Sequence, residues 1–218
     1  MAYILGMQGF RRLQLAVDAR VLIPRPETEE VVEQALTLLS ACHSAQLTCL
    51  DLGTGSGAIA LALADEGPER LRPGTGLAVT GVDRCPDALA VAHANGTRTG
   101  LHVEWLQGDW FTPVAGRRFH LIVANPPYVA PGDPHLRQGD LRFEPDAALV
   151  SSGEGLDALR DIIAAAPAHL EPGGWLLLEH GHEQAPAVIA LLRAAGFVAV
   201  RNHCDLSRRP RHTEGLHP

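Results

Sequence analysis

The chain has 218 residues, 46% hydrophobic and 20% charged, with a net charge of −7 and a pI near 5.8. Such a length and mix suit a soluble globular domain with ample core. No apolar stretch reaches the ~20 residues of a membrane-spanning helix. The opening MAYILGMQGF lacks the basic-then-apolar layout of a signal peptide, so the cytoplasm is the expected compartment and no membrane partner is expected. Cys42, Cys49, Cys85 and Cys204 are scattered without a CxxC pair, which offers neither a zinc module nor a disulfide framework. The acidic balance argues against direct nucleic-acid binding, which ordinarily needs a basic face to neutralise phosphate.

In chain order, Phe10 to Leu15 and Arg20 to Ile23 flank Val17-Asp18-Ala19 and read as a β-hairpin around that polar turn. IPRPETEEVVEQALTLL reads as a helix. Pro26 suits its first turn, Glu27, Glu29 and Glu30 complement its positive end, and Val32, Ala35, Leu36 and Leu39 keep helical spacing. From Leu47 the pattern alternates. LTCLDLG is strand, AIALALADE helix, LAVTGVD strand, PDALAVAHANGTRTG helix, VEWLQGD strand and FHLIVAN strand. DALRDIIAAAPAHL is helix, GGWLLLEHG strand, QAPAVIALLRAAG helix and FVAVRNHCD a closing strand. The Gly/Pro-rich part of LADEGPERLRPGTGLAV reads as a surface loop. Alternation of this kind predicts an α/β fold, a mostly parallel sheet with helices on both faces. Ligands of such sheets bind beyond the carboxyl ends of the strands.

The first of those ends carries Asp51-Leu52-Gly53-Thr54-Gly55-Ser56-Gly57. Its GxGxG spacing differs from the GxGxxG that rests a pyrophosphate on a helix. It resembles the turn of S-adenosylmethionine-dependent methyltransferases, which packs against the methionine part of the ligand. The second strand ends at Asp83, whose carboxylate can accept both ribose hydroxyls, each charged bond contributing roughly 1.5–3 kcal/mol. The third ends at Asp109 and Trp110, able to accept from an adenine amino group and to cover the base. Three successive strand ends thus supply what a nucleoside needs.

The fourth strand end is Asn125-Pro126-Pro127-Tyr128. A planar amide or aromatic amine is a poor nucleophile because its lone pair is delocalised. The Asn125 side-chain oxygen and the Pro126 carbonyl can each accept from such an NH2, turning the nitrogen toward a methyl donor and favouring the charge that develops on it. Tyr128 offers a flat face for the planar group, and the proline pair holds the acceptors rigidly. This fits methylation of a planar NH2 nitrogen. Adenine, cytosine and guanine amines and the glutamine amide all qualify on the motif alone.

His180-Gly181-His182 with Glu179 and Glu183 has poor metal-ligand spacing and reads as a loop capping the fifth strand, so no metal site is expected. DPHL, with His135 beside Asp133, reads as a substrate-side loop. Ser56, Ser151 and Ser152 lack the His and Asp of hydrolase chemistry.

IPRPETEE, DPHLRQGDLRFEPDAALVSSGEGLDALRDII and GGWLLLEHGHEQ, taken with the NPPY stretch, resemble the HemK/PrmC family, the glutamine methyltransferases of peptide-chain release factors. The resemblance runs from about Tyr3 to about Gly215. It implies a Rossmann-like S-adenosylmethionine-dependent methyltransferase fold at residues 25–218, ending in a strand hairpin and preceded by a linker hairpin within residues 1–24. It further implies that Gly53 to Gly57, Asp83, Trp110 and Asn125 line the cofactor. Asn125, Pro126, Pro127 and Tyr128 would hold the substrate glutamine amide. The reaction implied is methylation of the Gly-Gly-Gln glutamine of a release factor, with S-adenosylhomocysteine as product. Family members begin with a small helical domain, whereas this chain starts where the linker hairpin should be. At the C-terminus, DLSRRPRHTEG stands where the family pattern is DLAGRxRVT, so Arg208 replaces a glycine and His212 a valine. Two other readings stand beside this one: an exocyclic-amine methyltransferase acting on adenine or guanine of RNA or DNA, and a cofactor-binding paralogue without catalysis.

Overall fold

The alternation of apolar runs resolves into one twisted layer of strands, seen in a computed structural model that describes residues 2–137, 139 and 141–218. A single helical turn, α1 (Ala2–Leu5), leads into a two-stranded antiparallel hairpin, β1 (Met7–Phe10) and β2 (Leu13–Ala16). The long helix α2 (Pro26–Ala41) follows. The main sheet then takes in β3 (Gln46–Leu52), β4 (Gly76–Asp83), β5 (Glu104–Gln107), β6 (Phe119–Ala124), β7 (Leu170–Glu179), β8 (Val198–Cys204) and β9 (Pro210–Leu216). The intervening helices are α3 (Ala58–Arg70), α4 (Pro86–Thr99), α5 (Asp146–Leu149), α6 (Ser152–Gly155), α7 (Asp157–Ala165) and α8 (Ala185–Ala194).

Among the described residues the sheet order is β5-β4-β3-β6-β7-β9-β8. Pairing is parallel from β5 to β7, and β9 is antiparallel to both β7 and β8. The closing hairpin is the one the family resemblance implied; FVAVRNHCD is its first strand and not the last of the chain. Leu50, Leu52, Ile122 and Leu176 face one buried layer with α7 and α8, while Cys49, Leu121 and Leu177 face the other with α2 and α3. Strands buried on both faces read as continuous apolar runs, which is why LIVA carries no polar residue. Strand order reverses between β3 and β6, and a crevice opens beyond the carboxyl ends of strands at such a switch point.

Two further expectations are corrected. The first hairpin turns at Arg11-Arg12, with Phe10 paired to Leu13, and not at Val17-Asp18-Ala19. Arg11 takes φ +49°, at the place where a two-residue turn favours glycine. It is held there by distant partners: its guanidinium lies 2.5 Å from Glu66 and 2.9 Å from Glu33. Such anchors cannot be seen in a local window. Residues 17–23 instead run across the molecule, burying Val17, Val21 and Ile23 against Ala88 and Val91. The second correction is that α3 continues through Gly67-Pro68 to Arg70, where a loop was expected from Gly67. Arg11 with Glu66, Arg12 with Glu69 and Arg70 with Glu33 tie that last turn down. In the DPHLRQGDLRFEP stretch, Gln138, Asp140 and the His135 side chain lie outside the described residues.

The altered C-terminal pattern is accommodated at a local cost. Arg208 adopts φ +61° in the β8–β9 turn, whose closure is made by Arg208 N–H donating to Asp205 O at 2.7 Å and Asp205 N–H donating to Arg209 O at 2.8 Å. His212, at 3% exposure, stacks on His203 with ring centroids 5.0 Å apart. Burial pulls its pKa down to about 4, so it is neutral and packs as an apolar group. A left-handed conformation costs a non-glycine residue roughly 1–2 kcal/mol. Arg208→Gly is therefore expected to stabilise the fold by about 1 kcal/mol after the entropy glycine adds to the unfolded chain. Urea unfolding of variant and parent checks it; an unchanged or lower midpoint contradicts the assignment of strain to Arg208.

Candidate active site

Register alone brings the important strand ends level. Leu52 pairs with Val82 on one side and Ala124 on the other, Asp83 pairs with Gln107, and Ala124 pairs with Leu178. The residues that follow these pairs, Gly53, Asn125 and Glu179, therefore emerge side by side, with Asp83 and Asp109 next in line. A cavity of about 490 Å³ lies over them, lined by Gly53, Gly55, Asp83, Asp109, Trp110, Asn125 and Pro127 among the residues singled out from sequence. That volume lies in the range of pockets that enclose small organic ligands.

The glycine turn is stitched to its neighbour. Gly55 N–H donates to Asp83 Oδ2 at 2.9 Å, and Cys85 N–H donates to Asp83 Oδ1 at 2.9 Å. These two bonds aim the carboxylate along the cavity wall. Gly53 and Gly55 have φ of +71° and +55°, and a Cβ built on Gly55 would meet nothing nearer than 4.0 Å, so the backbone there borders open space. Gly57 plays a different part. A Cβ on it would lie 2.8 Å from the Trp105 ring, so it is glycine because α3 begins against that ring. Trp110, at φ +42°, lies beside Gly53, whose added Cβ would be 3.6 Å from its ring.

The remaining residues singled out from sequence stand behind this surface. Thr54 is buried and donates through Oγ1 to Asp51 Oδ2 at 2.6 Å. Ser56 is buried, and its carbonyl accepts from Asn95 Nδ2 at 3.0 Å. Asn95 also donates to Ala16 O and accepts from Ala16 N–H, which joins the first hairpin to the glycine turn. Pro126 is buried. Tyr128 turns its hydroxyl away to Glu179 Oε1, 3.3 Å distant, and its carbonyl accepts from Gln184 Nε2 at 3.0 Å. His180 is fully buried beside Thr213 Oγ1 at 2.8 Å.

Asn125 is the hub. Its Nδ2 donates to Thr28 Oγ1 at 3.2 Å, and Thr28 Oγ1 donates to Glu179 Oε2 at 2.8 Å. Its side-chain oxygen accepts no hydrogen bond among the described residues.

Further cavity-lining residues were not singled out by the sequence reading. Arg20, Val21 and Leu22 come from the segment before α2; Ala147 and Ala148 come from α5 and Val150 from just after it; Asp157 and Asp161 come from α7. The loop after the NPPY stretch is fixed from below by Glu144, buried, which lies 2.5 Å from the Arg25 guanidinium and accepts from Ile23 N–H at 3.2 Å. The signal for those after Pro145 was the quoted run DPHLRQGDLRFEPDAALVSSGEGLDALRDII, which contains them without saying what its side chains face.

Two carboxyls in this region are driven upward by burial. Asp51 reaches about 7, against the pull of Thr54 and Ala60, and its Oδ1 has no hydrogen-bond partner among the described residues. Glu179 also reaches about 7, with Thr28 and the Arg211 guanidinium opposing burial. Burial and the neighbouring Glu179 carry Tyr128 well above the usual phenol range.

The fold and cavity define the class. Residues 29–143 match the model of the methyltransferase small domain. The chain is 52% identical over 218 residues to a release factor glutamine methyltransferase of Xylella fastidiosa, covering all of this chain and 76% of that protein. Among solved structures it is similar to the release factor-specific protein-(glutamine-N5) methyltransferase of Alicyclobacillus acidocaldarius, with 31% identity, a TM-score of 0.54 and coverage of 89% and 94% of the two chains. A 16S rRNA N2 methyltransferase of T. thermophilus, solved with AdoMet and guanosine, shares the fold at a TM-score of 0.67 and 20% identity, over 97% of this chain and 50% of that one. The chain is thus a methyltransferase. The chain belongs to the release factor glutamine methyltransferase family.

The raised carboxyls make a pH prediction. A carboxyl with an unfolded pKa near 4 and a folded value of about 7 holds its proton more tightly when folded. Its stability contribution is complete below about pH 4 and is lost as pH rises through about 7. Asp51→Asn has no such titration. In paired thermal melts, the melting temperature of the variant relative to the parent is expected to rise between about pH 5 and pH 8. A constant difference across that range would show Asp51 ionising normally in the fold.

Proposed function

We propose that this chain transfers a methyl group from S-adenosylmethionine to the side-chain amide nitrogen of a protein glutamine, that of the Gly-Gly-Gln motif of a peptide-chain release factor. The observation carrying this reading is Asn125 at the end of β6: its amide NH2 is engaged by Thr28, its oxygen has no partner among the described residues, and it borders the same cavity as Gly53, Asp83 and Trp110. The names of the relatives supply the substrate.

The residues present fit the cofactor. Gly55 leaves space that a Cβ would enter, Asp83 is held along the wall with its lone pairs available to ribose hydroxyls, and Trp110 and Asp109 border the far end as an aromatic face and an acceptor. When bound, S-adenosylmethionine would supply an electrophilic sulfonium methyl to the amide nitrogen, with S-adenosylhomocysteine as the product and the amide proton released to solvent. Asn125 Oδ1 and the Pro126 carbonyl accept from the substrate NH2. This orients the nitrogen and stabilises the positive charge it gains before losing its proton. Pro127 borders the cavity while Tyr128 is anchored through Glu179 and Gln184, so the tyrosine contributes by fixing the loop as much as by offering a face.

Asn125→Ala is expected to lower methyl transfer to purified release factor by about 10²–10³-fold, while calorimetry reports continued binding of S-adenosylmethionine. Labelled cofactor and mass mapping of the release factor check it. Methyl transfer that survives in Asn125→Ala, or product on a residue other than the Gly-Gly-Gln glutamine, would overturn the reading.

A further inference from the structure

An asparagine amide has two nearly isosteric ends, and only one of them can serve an NH2 substrate. Turned the wrong way, Asn125 would set its own N–H donors against those of the glutamine. Resting on the proposed function above, we propose that Thr28 and Glu179 are positioning residues that fix the polarity of the Asn125 amide, so that with Glu179 ionised its oxygen faces the substrate.

The argument is a count of protons. A threonine hydroxyl has one hydrogen to give and lone pairs to receive. Its Oγ1 lies 2.8 Å from Glu179 Oε2 and 3.2 Å from Asn125 Nδ2. A carboxylate can only accept, so beside ionised Glu179 the Thr28 proton is committed to Glu179. Toward Asn125 the hydroxyl can then only accept, which obliges Asn125 to present its NH2 to Thr28 and its oxygen to the cavity.

Three separate elements meet to build this chain. Pairing of Ala124 with Leu178 sets Asn125 and Glu179 side by side, and the first turn of α2 lowers Thr28, only 4% exposed, between them. Glu179 is 1% exposed, so water does not compete for its lone pairs. The groups that face it are Thr28 and Glu27 from α2, Tyr128 from the segment after β6, and Arg211 from β9.

The arrangement also makes the polarity reversible. A protonated Glu179 can donate to Thr28, which releases the hydroxyl hydrogen to point at Asn125 and allows the amide to turn over. Burial places that change at about 7 for Glu179, so turnover at saturating cofactor and substrate rises as pH climbs through neutrality.

Thr28→Val keeps the shape and removes the hydroxyl. It is expected to lower kcat by about tenfold or more with the cofactor dissociation constant within about twofold of the parent, and Thr28→Ser is expected to restore kcat. Glu179→Gln can donate to Thr28 at every pH, so its kcat is low and flat where the parent rises. In the unsubstituted protein, the side-chain amide resonance of Asn125 in nitrogen–proton NMR is expected to shift between about pH 6 and pH 8; in Glu179→Gln it does not. A parental kcat in Thr28→Val, a parental pH step in Glu179→Gln, or an Asn125 resonance that ignores pH in the unsubstituted protein would each overturn the inference. If Asn125→Ala is inactive while Thr28→Val is fully active, this inference alone fails. If Asn125→Ala is active, the proposed function fails with it.

Discussion

Parallel pairing in register is the constraint on which the rest of this molecule depends. Once Leu52 is opposite both Val82 and Ala124, and Ala124 opposite Leu178, the strand ends are level and the loops leaving them must share one crevice. A slip of one residue would turn the buried side chains of a strand to the other face. Both faces here are packed against helices, so the register that fills the core is also the register that aligns Gly53, Asn125 and Glu179.

Around that crevice, helix α2 works as a strut. Pro26 starts it, and the residues on either side of that start reach in two directions. Arg25 holds Glu144 of the loop beyond the NPPY stretch, and Thr28 holds Asn125 and Glu179. The first hairpin, locked by Arg11 to Glu66 and Glu33, and Asn95, which binds Ala16 and Ser56 together, hold the segment before α2 against the glycine turn. The carboxyls of Glu66 and Glu144 are buried, so removing the arginine that faces either leaves a desolvated carboxyl without its counter-charge, which costs more than breaking a surface ion pair. The walls of the cavity are thus joined through charged and polar side chains, and its floor through backbone.

Buried carboxyls mark the same region. Asp51 and Glu179 sit near the ends of β3 and β7, with β6 between them, each lifted to about 7 by loss of water. Asp51 accepts from Thr54 and from Ala60 N–H, so it supports the glycine turn from beneath. Glu179 gathers Thr28 and Tyr128. Both residues lie one step behind the surface of the cavity, a place where a change in charge alters orientation with little change in shape.

The alternating apolar runs, the GxGxG turn, Asp83 and Asn-Pro-Pro-Tyr were legible in the chain because each depends on local chemistry: strand period, glycine freedom and the missing N–H of proline. From them the sequence by itself determined a mostly parallel α/β sheet and placed Gly53, Asp83 and Asn125 at its strand ends, and the resemblance carried by GDLRFEP and its neighbours named the family that the relatives bear out. The turn at Arg11, the extension of α3 through Pro68 and the partners of Thr28, Glu144 and Glu179 were not legible, since each is decided by side chains far off in the chain: Glu66 is 55 residues from Arg11, Glu144 121 from Ile23 and Glu179 151 from Thr28. Tertiary structure alone decided which end of Asn125 meets the cavity. Local sequence states that an amide is present; only a buried hydroxyl and carboxylate brought from two other elements can state which way it points.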